Sequence, residues 1–220
     1  MAKVELAIIG GSGFYEPGLF SDIREELVQT PYGEVVFTIG KLGETELAFL
    51  PRHGKEHSVL PHQLNYRANI RGLQELGIKR VITTTAVGSM NERFAPGSLV
   101  LIDQFLDFTK QRAMTFFDSG DVHRAHIDMT EPFCTEIRSS LMSAAKKCGI
   151  TVFDGGCYVC TEGPRFETPA EIRAFKILGG DVAGMTAVPE VILARELGIC
   201  YANISIITNW AAGINSQSLS

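Results

Sequence analysis

The chain has 220 residues, 45% of them hydrophobic and 20% charged, with a net charge of −5. This is ordinary usage for one globular domain, and it excludes a disordered or fibrous chain. Mild acidity without a Lys/Arg block argues against a nucleic-acid or anionic-membrane surface.

No apolar run approaches the roughly 18 residues of a spanning helix. The opening Met1-Ala2-Lys3-Val4-Glu5 lacks the apolar core and small-residue cleavage site of a secretory signal. The five cysteines, Cys134, Cys148, Cys157, Cys160 and Cys200, are scattered and odd in number. That favours reduced thiols and a cytoplasmic location. Cys157 and Cys160 have CxxC spacing, but no second CxxC or His pair completes a zinc set. They read as structural thiols, with a disulfide as the alternative.

In chain order, Ala7-Ile8-Ile9 is a buried-strand signal. Residues 35–39 and 47–50 read as two strands joined by a turn around Gly43. Residues 65–76 read as a helix ended by Gly77, and residues 80–84 as a strand. Residues 98–105 are read as one more strand. Residues 133–147 form an amphipathic pattern with Lys146 and Lys147 in the last turn and Gly149 beyond, as a helix C-terminus prefers. Thr168-Pro169-Ala170-Glu171 is a capping box with proline at the first helical position. Residues 188–197 give a further helix ended by Gly198, and residues 201–207 a strand.

Strands alternating with helices predict an α/β fold: one domain over residues 1–220 with a mixed, largely parallel twisted sheet flanked by helices. Ligands of such sheets bind beyond the carboxyl ends of the strands. Those ends carry Gly10-Gly11-Ser12-Gly13, Arg52-His53, Thr84 to Gly88, Met185-Thr186 and Thr208-Asn209-Trp210.

Gly10-Gly11-Ser12-Gly13 lets backbone N–H groups approach an anion and adds a hydroxyl. It is neither a GxxxxGK[ST] loop nor a complete GxGxxG helix start, and a plain tight turn is the alternative. Arg52 offers a planar fork to phosphate oxygens and His53 a further donor, unless the pair is an exposed loop. His57 and His62 follow, but no carboxylate cluster or HxxxH helix closes a metal set, so no metal is expected. Phe166 suits stacking on a flat base and Glu167 suits accepting a hydrogen bond. The plainer reading makes Phe166 core and Glu167 a charge favouring the following helix.

Read together, these strings resemble the trimeric class of purine nucleoside phosphorylases, in the branch that includes methylthioadenosine phosphorylase. The resemblance runs from Ile8 to about Gly213. Besides the Gly-rich turn it rests on Pro51-Arg52-His53-Gly54, Thr84-Thr85-Ala86-Val87-Gly88-Ser89, Glu162 to Thr168, Gly184 to Glu190, and Thr208-Asn209. It implies phosphate-dependent cleavage of a purine nucleoside to free base and a sugar 1-phosphate, in purine salvage, with no cofactor beyond inorganic phosphate. It implies phosphate against Ser12, Arg52, His53, Thr85, Ala86 and Thr186, and ribose near Met185. The base is implied between Phe166, Glu167 and Asn209, with Ala211 nearby. A trimer or dimer of trimers is implied, in which His126 completes a neighbour's pocket. Family members carry a further helical segment beyond Asn209, and this chain stops at Ser220.

The purine is argued from two residues. A 6-oxopurine carries an N1–H donor and an O6 acceptor; adenine carries an N1 acceptor and a 6-amino donor. A Glu167 carboxylate accepts from N1–H and would face the N1 lone pair of adenine. Asn209 can turn its NH₂ to O6 or its carbonyl to N7–H. Methylthioadenosine enzymes carry Ser at the Glu167 position and aspartates at those of Asn209 and Ala211, and this sequence departs at all three. The expected substrates are inosine, guanosine or 5′-methylthioinosine. The alternatives are a methylthioadenosine phosphorylase and a non-catalytic nucleoside-binding protein.

Overall fold

A computed structural model describes residues 4–11, 20–54, 58–118 and 126–215. Its elements are β1 (Leu6–Gly10), β2 (Ser21–Thr30), β3 (Gly33–Leu42), β4 (Thr45–Pro51), α1 (Tyr66–Leu76), β5 (Arg80–Ser89), β6 (Leu99–Leu101) and β7 (Gln104–Phe108). There follow α2 (Thr135–Cys148), β8 (Val152–Asp154), β9 (Cys157–Thr161), α3 (Pro169–Ile177), β10 (Val182–Gly184), α4 (Ala187–Glu196) and β11 (Cys200–Trp210). The strands make one mixed, largely parallel sheet with helices packed on it, as expected. No helix among the described residues is long and apolar enough to cross a membrane.

Helix ends follow the sequence signals. Asn65 caps α1 by accepting from the Ala68 N–H, and Gly77 closes it at φ 84°. The α3 box forms as read, with Thr168 accepting from the Glu171 N–H and the Glu171 carboxylate accepting from the Thr168 N–H. Val188 keeps an extended backbone at φ −112° and ψ 129°, so the regular turns of α4 begin after it.

Several strands depart from the reading. β2 is absent from it, because its residues are mostly exposed and show no buried alternation; pairing with β3 and the Arg24–Glu46 ion pair hold it. The segment 98–105 is two strands, β6 and β7, which pair with different neighbours. Strands β8, β9 and β10 are too short to show a period. Thr84 to Gly88 and Thr208 to Trp210 lie within β5 and β11 rather than beyond them.

The sheet's centre positions the site. β11 runs parallel to β5 from Arg80 to Ser89, shifting register between Ile207 and Asn209. That occupies one edge of β5. β1 pairs with Arg80 to Thr83, and β10 with Gly88 and Ser89. Since β11 holds the first edge throughout, β1 and β10 share the second. Among the described residues no strand pairs with that second edge from residue 84 to residue 87. Backbone polar groups there need other partners. The Thr84 carbonyl finds one in the Arg52 guanidinium at 2.9 Å. Backbone groups of residues two apart along a strand face the same edge, so Ala86 presents its N–H and C=O to the same gap.

Cys157 and Cys160 stand three apart on β9 and so face opposite sides of the sheet, which excludes the disulfide alternative in this arrangement; both are free thiols. Burial pushes the Cys160 thiol up to about 12 and that of Cys157 to about 11, so neither is a thiolate near neutrality.

Candidate active site

A cavity of about 440 Å³ opens at this gap. Gly11, Arg52, His53, Thr85, Ala86 and Thr186 line it. Phe166, Glu167, Met185, Asn209 and Ala211 line the same space. Separate strings of the sequence therefore meet in one place, from the ends of β1, β4, β9 and β10 and from within β5 and β11. Ser12 and His57 lie outside the described residues. His126 is exposed and is not among the residues lining this cavity.

Gly11 is needed for close approach. A Cβ there would sit 2.5 Å from the Thr84 carbonyl oxygen and 3.0 Å from Arg52 Nη1. Arg52 is not the exposed loop residue of the plainer reading: it is 2% exposed. Its Nε and Nη2 donate to the two oxygens of Glu190 at 2.5 and 3.0 Å, and both side chains are fully buried. Burial works against the Arg52 charge, but the Glu190 carboxylate more than restores it, so the guanidinium holds its proton above the ordinary arginine value. With Nη1 also bonded to Thr84, three of the five N–H groups are engaged within the protein, leaving one on each terminal nitrogen.

Behind Arg52 runs a buried hydrogen-bond chain. Tyr201 donates to Glu190 at 2.8 Å and accepts from Thr83 at 3.0 Å. Thr83 accepts from Asn203 Nδ2 at 2.8 Å, and Asn203 Oδ1 accepts from Ser205 at 2.9 Å and Thr85 at 3.2 Å. Burial, then the Glu190 charge, pushes the Tyr201 phenol well above its ordinary value, so it remains a donor. Ser205 and Thr85 hydroxyls lie 3.0 Å apart with either able to donate. With the Ser205 proton kept on Asn203 Oδ1, Thr85 can give up its own longer bond to that oxygen and turn its single proton to a bound anion. Sequence reasoning missed Glu190 and Tyr201. Glu190 stood in a quoted string without a role, and Tyr201 read as one more apolar strand position.

His53 Nδ1 lies 2.8 Å from the Val59 carbonyl, which only accepts, so Nδ1 carries a proton. Any contact of the His53 ring with an anion is then made through Nε2. Thr186 is 6% exposed, and its hydroxyl makes no capping bond to α4.

The loop after β9 is pinned by Arg112, whose side chain is 2% exposed. Its guanidinium donates to the Thr161, Glu162 and Val188 carbonyls and to the Glu162 carboxylate. It also lies over the Tyr66 ring at 5.2 Å. Gly163, at φ 69°, packs so closely on Met185 that a Cβ would meet its sulfur at 2.7 Å. Phe166 is 52% exposed at the cavity, so the reading that buries it in the core is overturned. Glu167 directly precedes the Thr168 cap, so its charge still lies at the start of α3. Its Oε1 accepts from the Thr161 hydroxyl at 2.6 Å. Asn209 Oδ1 accepts from Thr208 and its Nδ2 donates to the Trp210 carbonyl, each at 2.8 Å. The Trp210 carbonyl only accepts, which fixes which end of the amide is which.

Among the described residues no group of three His, Cys, Asp or Glu side chains could hold a metal ion. The donors are those of an anion site beside a flat, partly apolar one: hydroxyls, a paired guanidinium and backbone N–H groups near an exposed ring, a carboxylate and an amide.

A family model described as the phosphorylase superfamily matches residues 5–220. The chain is 56% identical over 220 residues to the 6-oxopurine nucleoside phosphorylase of Pyrococcus furiosus, covering 97% of this chain and 82% of that protein. It is 52% identical over 214 residues to a Methanopyrus kandleri protein named probable S-methyl-5′-thioinosine phosphorylase, covering 97% and 81%. Among solved structures, a methylthioadenosine phosphorylase from an antarctic soil metagenomic library superposes with a TM-score of 0.93 at 38% identity, over 100% of this chain and 78% of that one.

Proposed function

The chain belongs to the phosphorylase superfamily, and on that premise we propose that it is a purine nucleoside phosphorylase acting on 6-oxopurine nucleosides. The observation that carries the reading is that Glu167 and Asn209 line the same cavity as Arg52, Thr85 and Thr186. Inorganic phosphate is the co-substrate, held by Ser12, Arg52, His53, Thr85, Thr186 and the Ala86 backbone, and no metal or organic cofactor takes part. Purine nucleoside and phosphate are the partners of this site, and the enzyme works in the cytoplasm.

Phosphate attacks the anomeric carbon as the purine leaves, with positive charge building on the sugar. No covalent nucleophile is required. The protein holds the dianion on one face of the sugar and relieves the charge accumulating on the base at the other. Each charge-assisted bond to phosphate is worth roughly 1.5–3 kcal/mol. Phe166 stacks on the purine, Glu167 accepts from N1–H, and Asn209 serves O6 or the N7 side. Met185 lies against the ribose. Val59 and Leu60 add apolar wall, which suits a 5′-methylthio group. The subunits form a trimer or a pair of trimers in which His126 reaches a neighbour's cavity; light scattering that finds an active monomer contradicts this.

The test is product release from inosine with and without phosphate. Hypoxanthine and ribose 1-phosphate should form only with phosphate present. Hypoxanthine release at equal rate without phosphate would make the protein a hydrolase, and no release from any purine nucleoside would leave a binding protein.

A further inference from the structure

We infer that Thr161 is a positioning residue for base selection, one that fixes the Glu167 carboxylate so that a single oxygen is offered to the purine. The inference rests on the proposed 6-oxopurine reading and names a device within it. Thr161 is the last residue of β9 and is not among the residues lining the cavity, so it acts on substrate only through Glu167. Its Oγ1 lies 2.6 Å from Glu167 Oε1 and 3.5 Å from the Gly184 carbonyl, and its one proton goes to the nearer, charged acceptor. Oε1 is then engaged and Oε2 is the oxygen left for the base.

The anchor itself is rigid. β9 is paired on both edges, by β7 and β10, and Arg112 Nη2 holds the Thr161 carbonyl at 3.2 Å. Thr161 therefore cannot follow a drifting carboxylate; it imposes one rotation on it. Glu167 has three side-chain torsions to order, and the Thr161 hydroxyl is the partner that orders its Oε1. A fixed acceptor favours N1–H of a 6-oxopurine and opposes the N1 lone pair of adenine. Loss of the hydroxyl should therefore cost the inosine reaction and leave the poorly matched adenosine reaction nearly unchanged.

The experiment measures kcat/KM for inosine and adenosine, the phosphate KM and thermal stability for wild type, Thr161→Val and Thr161→Ser. The expected result is a roughly tenfold fall for inosine in Thr161→Val, the scale of a lost hydrogen bond to a charged group, with adenosine and the phosphate KM within about twofold. Thr161→Ser, which keeps the hydroxyl, should restore the inosine rate. If the valine variant does not fold, Thr161→Ala removes the same hydroxyl with less bulk and should show the same split. An unchanged inosine-to-adenosine ratio, or an equal loss on both nucleosides, overturns the inference while the 6-oxopurine reading stands. A wild-type enzyme that prefers adenosine removes the reading and the inference together.

Discussion

Arg52 shows how one residue joins fold and chemistry. Its side chain is fully buried, yet it lines the cavity, because Glu190 and the Thr84 carbonyl satisfy most of its donors from behind. The terminal N–H groups that remain are those an anion can use. Arg52→Ala is therefore expected to raise the phosphate KM by about tenfold or more and the nucleoside KM far less, in initial-rate kinetics with each substrate varied. A phosphate dependence equal to wild type would remove Arg52 from the anion site. Arg52 and His53 stood out in the sequence as a chemically pointed pair at a strand end, whereas Thr85 and Asn209 were picked out by the family resemblance; all four line the cavity. Thr161 and Tyr201 were not legible in the sequence, because an ordinary threonine or tyrosine in a strand gains its role only from what the fold sets beside it.

At the scale of elements, the Arg52–Glu190 pair ties the end of β4 to α4, and Tyr201 ties both to β11. Removing one partner leaves an uncompensated buried charge, which costs about 3–5 kcal/mol. Glu190→Ala should lose stability on that scale in denaturant unfolding, whereas Tyr201→Phe, which removes the bonds to Glu190 and Thr83 and keeps the ring, should lose less, about 1.5–3 kcal/mol, the scale of a hydrogen bond to a charged group. Equal, small losses in both variants would show that the pair is not the staple described. The helices were legible because their caps are local: Asn65 and Gly77 bracket α1, and Thr168 and Glu171 start α3. The short strands were not, since β8 and β10 have three residues each and owe their state to neighbours distant in sequence.

For the molecule as a whole, the decisive feature is the gap on one edge of β5 between its pairing with β1 and with β10. An alternation of strands and helices gives the fold class, and the strand-end rule gives the neighbourhood of the site, but the gap depends on three long-range pairings that no local pattern encodes. Into it converge the groups for an anion and for a purine edge, and the central claim is that Glu167 and Asn209 read that edge as a 6-oxopurine. The direct measurement is the ratio of kcat/KM for inosine over adenosine at saturating phosphate, with hypoxanthine and adenine quantified by chromatography. The account predicts a ratio of at least about 100, within the range reached by a pocket built to hydrogen-bond one edge. A ratio near one, or a preference for adenosine, would contradict it.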